Sequence, residues 1–183
     1  MVHAEAVALG AQWAYFGFGP GYTAPTAAPS SSSNSANVPK ADLAQNRTWS
    51  GTMKVGGETL DIELDGKNAP QASSVFLTLA NKNFFNGLSC HRLTTAGIYV
   101  LQCGDPNGDG TGGPGFNWGP IENAPADNNY KEGVLAMARR GGDGTSMGSQ
   151  FFIVYKDSMI PSDAAGGYTV FGKVTKGLAK LNK

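Results

Sequence analysis

The chain has 183 residues, a length suited to one domain plus an extension and to a sizeable buried core. Apolar residues make up 40% and charged residues 15%, which fits neither a disordered polyampholyte nor a membrane protein. Lys+Arg and Asp+Glu balance at 14 each, and no basic run is long enough to follow a phosphate backbone, which argues against nucleic acid as the main partner.

Residues 1–22 are apolar but contain His3, Glu5 and Gln12, lack a basic start and end in a Gly/Pro cluster, so they match neither a signal peptide nor a membrane span. Residues 23–45 read as an Ala/Pro/Ser-rich linker of the kind that spaces a domain from an anchor or a neighbour. The folded domain is expected over 46–183. It opens with two strands, 48–55 and 58–64, joined by Gly56-Gly57 as a two-residue hairpin turn. Pro70 suits the first turn of a helix, and Ala72, Val75, Phe76, Leu79 and Ala80 follow at helical spacing. Further strands are expected at 88–93, 97–103, 133–139, 149–156 and 167–174. With 26 glycines and 10 prolines, many short strands and one early helix, the pattern points to a mainly β, closed antiparallel barrel.

Several short motifs have a plainer reading. Gly108, Gly110 and Gly113 match a dinucleotide-binding fingerprint, yet no helix pattern follows and Pro114 sits where one would start. Asp105, Asn107 and Asp109 open like a calcium loop, but Phe116 holds the position that needs a bidentate Glu. A Gly-rich surface loop accounts for both. Cys90 and His91 are neighbours on an expected strand and point to opposite faces, which argues against a Cys/His nucleophile or a metal site. Cys90 and Cys103 face a choice between a cross-strand bridge, over a hairpin turning near Ala96 and Gly97, and two buried thiols. Asn46-Arg47-Thr48 matches a glycosylation sequon, a motif common by chance.

The informative pieces are spread over the chain: CHR at 90–92, QCGD at 102–105, GTGG at 110–113, LAMAR at 135–139, GSQFFI at 148–153 and VFGKV at 170–174. In order and approximate spacing they resemble the cyclophilin-type peptidyl-prolyl cis-trans isomerases, whose corresponding text is FHR, QGGD, GTGG, LSMAN, GSQFFI and VFGKV. The stretch CHRLTTAGIYVLQCGDP is similar to the extracytoplasmic cyclophilins of actinobacteria. The resemblance implies an eight-stranded antiparallel barrel with capping helices and a proline-binding groove on its outside. The family continues through a second helix to a closing strand, whereas this chain ends at Lys183, so the last helix and closing strand are expected to be lacking. The segment from Gln12 to Phe18, with alternating Trp13 and Tyr15, is one candidate to occupy that gap.

Carried over by motif, the resemblance implies Arg92, Gln102 and Tyr99 as catalytic residues, with Arg92 aimed at the prolyl nitrogen and Gln102 orienting it. Tyr99 and Val100 stand where the family has Phe and Met, and with Phe152 they are expected to hold the proline ring. Gln150 and the backbone of Ala138 and Arg139 would line the approach, with Met137 packed behind and Tyr168 at the pocket border in place of His. Ile160 or Met159 is nearest by spacing to the family's Trp at the pocket mouth, and this lack of a Trp argues against cyclosporin binding. Arg139 also departs from the usual Asn. The implied activity is isomerisation of X–Pro bonds in peptides and unfolded proteins, assisting folding, without cofactor or metal. The competing reading is a proline-peptide binding module or holdase without turnover. The implied setting is a monomer, extracytoplasmic or at a bacterial cell surface with any membrane anchor outside this chain; the alternative is cytoplasmic.

Overall fold

Hydrophobic alternation sets the sheet. In Glu58–Asp65, Leu60, Ile62 and Leu64 point into the core while Asp61 and Glu63 do not, the two-residue period of a strand with one buried face. The fold is described by a computed structural model over residues 2–5 and 37–181. Its strands are β1 (Val2–Glu5), β2 (Thr48–Val55), β3 (Glu58–Asp65), β4 (Leu88–Cys90), β5 (Arg92–Leu93), β6 (Val100–Cys103), β7 (Asn129–Tyr130), β8 (Val134–Met137), β9 (Phe151–Val154), β10 (Ser158–Met159) and β11 (Val170–Lys176). Strands β7 and β10 form a separate pair, and the others form one antiparallel sheet in the order β4-β1-β2-β3-β11-β8-β9-β6-β5. Although β4 and β5 stand at opposite ends of that order, only His91 separates them in the chain. The sheet therefore curls so that both of its ends lie in one stretch of chain, a barrel-like arrangement, but among the described residues it has nine strands in place of the expected eight and no pairing between β4 and β5 closes it. The His91 N–H donates to the Gln102 carbonyl at 3.1 Å.

Strand β1 lies between β2 and β4 and pairs with both. The segment from Gln12 to Phe18, suggested from sequence for such a place, lies outside the described residues, as does most of the expected linker. The linker's last residues are packed: a 3-10 turn at Ala41–Ala44 lies against α1 (Pro70–Asn81), and the Trp49 indole N–H donates to the Ala44 carbonyl at 2.8 Å. Gly56 and Gly57 turn the first hairpin with φ of 60° and 86°, a geometry that suits residues without a Cβ.

Pro70 opens α1, as its spacing predicts, but almost the whole circumference of the helix is buried. On one side Phe76 packs with Phe85, Phe151 and Phe171 at centroid distances of 4.9, 5.4 and 5.3 Å. On another, the Gln71 amide donates to the Pro39 carbonyl and the Ser74 hydroxyl to that of Ala41. No side chain caps the helix from its own N-cap, Ala69. Glu122 does so from 51 residues away, accepting the Gln71 N–H at 2.9 Å and the Ala72 N–H at 3.0 Å. Cys90 and Cys103 are joined by a disulfide, which settles the choice left open by the sequence and ties β4 to β6.

Burial holds the Glu122 carboxyl above its ordinary value of 4.5 despite these two donors. The folded protein thus keeps the proton to higher pH than the unfolded chain. Stability linked to this group is complete below about 4.5 and is lost as pH rises through the raised value. Thermal melts of wild type and Glu122→Gln from pH 4 to 7 are expected to show the wild-type Tm falling relative to the variant across this range. A constant difference would show that Glu122 does not carry a raised pKa in the folded protein.

Candidate functional site

The site is a row across four strands. Antiparallel register places Arg92 opposite Gln102, Gln102 opposite Phe152 and Phe152 opposite Ala136. Adjacent strands are spaced by about 4.8 Å, so side chains opposite one another on the same face are neighbours. The intervening residues Leu101, Cys103, Leu135, Met137, Phe151 and Ile153 belong to the main core. Val100, Ala136, Phe152 and Val154 form a second, smaller core with Tyr130, against which Ile98, Ala138, Ile160 and Tyr168 pack. Both faces of β9 are thereby covered, which explains why FFIV is apolar without alternation.

A pocket of about 140 Å³ opens over this second core. Ile98, Val100, Phe152, Ile160 and Tyr168 supply apolar walls, while Arg92, Gln102, Ala138 and Arg139 complete the lining. The Phe152 and Tyr168 rings meet edge to face at 5.5 Å. A larger depression of about 430 Å³ shares Gln102, Ala138 and Arg139 with the pocket and extends along Gly110–Gly113, Arg140 and Gly148–Gln150. Two adjoining hollows with a common polar boundary suit an extended chain that places one small apolar ring in the first and neighbouring residues in the second.

A directed set of hydrogen bonds orients Arg92. Its Nη1 donates to Gln102 Oε1 at 3.3 Å, Gln102 Nε2 donates to Gln150 Oε1 at 2.8 Å, and Gln150 Nε2 donates to the carbonyls of Gly110 and Gly112 at 2.9 and 2.8 Å. Carbonyls only accept, so they set the polarity of Gln150, which sets that of Gln102 and turns an acceptor toward the guanidinium. The loop carrying these carbonyls is held by buried Asp105, which accepts the N–H groups of Asn107, Asp109 and Gly110. The apparent calcium loop is therefore organised around a carboxylate that uses backbone donors. Among the described residues no group of three or more His, Cys, Asp or Glu is placed to hold a metal.

Most sequence-expected site residues converge here: Arg92, Gln102, Val100, Phe152, Ile160 and Tyr168 at the pocket, and Gln150, Ala138 and Arg139 along the approach. Tyr99 lies outside the pocket lining. It follows Ile98 and precedes Val100 in an extended segment, so it points to the face opposite these two pocket residues. Its ring instead packs edge to face on Tyr155 at 5.9 Å, beneath the Lys156 ammonium at 4.5 Å. Ile98 takes the wall position expected of Tyr99. Met159 is 57% exposed and is not among the pocket residues, leaving Ile160 as the nearer counterpart at the mouth. Met137 lies in the main core behind the row. Arg139 reaches the groove through its backbone, because its side chain is fully buried while the residue as a whole remains partly exposed.

Residues 51–183 match the family model for cyclophilin type peptidyl-prolyl cis-trans isomerase/CLD. The chain belongs to this family. It is 40% identical over 148 residues to a protein described as probable peptidyl-prolyl cis-trans isomerase B from Mycobacterium leprae, covering 74% of this chain and 48% of that protein. A peptidyl-prolyl cis-trans isomerase from Helicobacter pylori is 42% identical over 139 residues, covering 75% of this chain and 80% of the relative. The chain spans about half the length of the mycobacterial relatives it matches. Among solved structures, a Cryptosporidium parvum cyclophilin aligns with a TM-score of 0.57 and 32% identity over 68% of this chain and 75% of its own. The same protein solved in the presence of the dipeptide Ala-Pro aligns equally well, with 31% identity over 68% of this chain and 77% of its own.

If carbonyl acceptors set the polarity of the two glutamines, Gln150→Ala releases Gln102. Its side-chain amide protons, followed by NMR, should then exchange with solvent at least about tenfold faster, the effect of losing roughly 1.4 kcal/mol of protection. Unchanged exchange would show that Gln102 is held by something else.

Proposed function

We propose that this chain accelerates cis–trans rotation about X–Pro bonds in peptides and unfolded polypeptides, and so assists their folding. The observation that carries this reading is the Arg92 guanidinium at the rim of a small apolar pocket, in register with Gln102 and Phe152. Rotation about the bond must overcome about 18–20 kcal/mol because amide resonance gives C–N partial double-bond character. Twisting removes that resonance and leaves a usable lone pair on the prolyl nitrogen. A donor aimed there binds the twisted state more strongly than either planar isomer, which is the condition for acceleration. Arg92 suits this task because its charge persists and its donors form a rigid fork.

Magnitudes divide the work. Shortening a step from tens of seconds to milliseconds, about ten-thousandfold, requires roughly 5.5 kcal/mol. One charge-assisted hydrogen bond supplies about 1.5–3 kcal/mol. The balance falls to Phe152, Val100, Ile98 and Ile160, which grip the ring and exclude water, and to Gln102, which keeps Arg92 aimed before substrate arrives. Residues preceding proline would run along the larger hollow, where Ala138 and Arg139 expose backbone. The reaction forms and breaks no covalent bond, so these groups suffice without a nucleophile or cofactor.

The partners in this reading are proline-containing peptides and unfolded clients, taken up by a monomer. Ile160 in place of an indole at the mouth argues against cyclosporin as a ligand. An extracytoplasmic or cell-surface setting is supported by the Cys90–Cys103 bridge, since disulfides persist where the surroundings are oxidising.

The test is the cis-to-trans relaxation of a short Ala-Pro-Phe peptide with wild type and Arg92→Ala at equal concentration. Wild type should accelerate relaxation, and the variant should retain a cooperative melt while losing about a hundredfold in kcat/KM, near 2.7 kcal/mol. Peptide binding by a well-folded wild type without acceleration would replace the enzyme with a binding module.

A further inference from the structure

The Arg139 side chain lies beneath the pocket and has no donor left for a ligand. Its Nε donates to the Gly167 carbonyl at 3.0 Å, Nη1 to the Arg140 carbonyl at 3.1 Å and to Asp163 at 2.9 Å, and Nη2 to Asp163 at 3.0 Å and to the Gly166 carbonyl at 2.7 Å. These bonds use all five guanidinium N–H groups. The guanidinium carbon stands 4.6 Å from the centroid of the Tyr168 ring, a cation–π contact at a fully buried side chain. Tyr168 in turn packs on Phe152, and its N–H donates to the Tyr130 hydroxyl at 2.7 Å.

Asp163 extends the same assembly. Besides Arg139 it accepts the N–H of Gly142 at 2.8 Å and of Ala165 at 2.9 Å, and its backbone exchanges two 3.0 Å hydrogen bonds with Gly166. The ion pair thus ties the segment just after β8 at Arg139, the loop at Gly142 and the turn 163–167 into one unit. Arg139 and these donors hold the Asp163 carboxyl well below the usual carboxylate range, so the pair stays charged throughout neutral and mildly acidic conditions.

We propose that Arg139 is a positioning residue that acts through Tyr168: it fixes the ring and the 163–167 turn as the pocket wall and thereby sets affinity for the proline-bearing segment rather than the rate of bond rotation. The inference rests on the proline-pocket reading above. Arg92 acts from the β5 side of the pocket, whereas Arg139 supports the wall beside Phe152, where no bond order changes during rotation. Lysine cannot replace it, because one ammonium offers no planar fork for two carboxylate oxygens and three carbonyls and stacks less well on an aromatic face.

The experiment compares wild type, Arg139→Gln, Arg139→Lys, Tyr168→Ala and the Arg139→Gln/Tyr168→Ala double variant, measuring kcat, KM and the peptide Kd by calorimetry. Arg139→Gln and Arg139→Lys should each raise KM and Kd by about tenfold while kcat stays within about twofold. The double variant should bind no worse than Tyr168→Ala alone. Wild-type affinity in the folded Arg139 variants, or full additivity with Tyr168→Ala, would overturn the proposal. Should Arg139→Gln fail to fold, Asp163→Asn keeps the guanidinium but weakens its anchor, and a rise in Kd of at least threefold is required of it. If wild type binds the peptide but does not catalyse, the isomerase reading fails while the Kd comparison still decides the role of Arg139.

Discussion

Registration between β5, β6, β9 and β8 is the constraint on which the site depends. It puts Arg92, Gln102, Phe152 and Ala136 in one row on one face of the sheet. A slip of one residue in any of these strands would turn its member of the row into the core and bring a core side chain out. Three features oppose the slip. Leu101, Ile153 and Leu135 are anchored inward, the Cys90–Cys103 bridge fastens β4 to β6 beside Arg92 and Gln102, and Gly104 allows a close crossing at the end of β6. At Gly104, φ is 88° and a Cβ would overlap the Ser149 carbonyl, so no other residue fits there without moving the backbone.

On this frame, polar and apolar groups divide the labour. The second core under Phe152 gives the pocket a rigid floor, and the Gln102–Gln150 pair connects the Arg92 guanidinium to loop carbonyls organised by Asp105. Each link fixes the donor–acceptor polarity of the next, so Arg92 is oriented although it is exposed to solvent. Such prior orientation suits a rotation reaction, in which the charge change at the prolyl nitrogen is small and a displaced donor would contribute little.

Legibility in the sequence followed the range of the interactions. Local signals located the Gly56-Gly57 turn, the Pro70 helix start and the alternation of Leu60, Ile62 and Leu64, because each depends on residues within a few positions. Motif resemblance singled out Arg92, Gln102 and Phe152, which the fold brings to one pocket. It does not separate Tyr99 from Val100, whereas the alternation of an extended chain sends these consecutive residues to opposite faces. Three other features rest on partners distant in the chain: Glu122 capping α1, Asp163 pairing with Arg139, and Val2–Glu5 lying between β2 and β4. No local pattern marks Glu122 as a cap or Asp163 as an anchor, since each becomes one only when folding brings it to its donors.

In the proposed reaction Gln102 contributes by orienting Arg92 rather than by an independent contact with substrate. A double-mutant cycle on kcat/KM with Arg92→Ala, Gln102→Ala and the pair separates these two roles. The double variant should match Arg92→Ala within about twofold, because an orienting group has nothing left to orient. Fully additive losses would instead assign Gln102 its own role at the reacting bond.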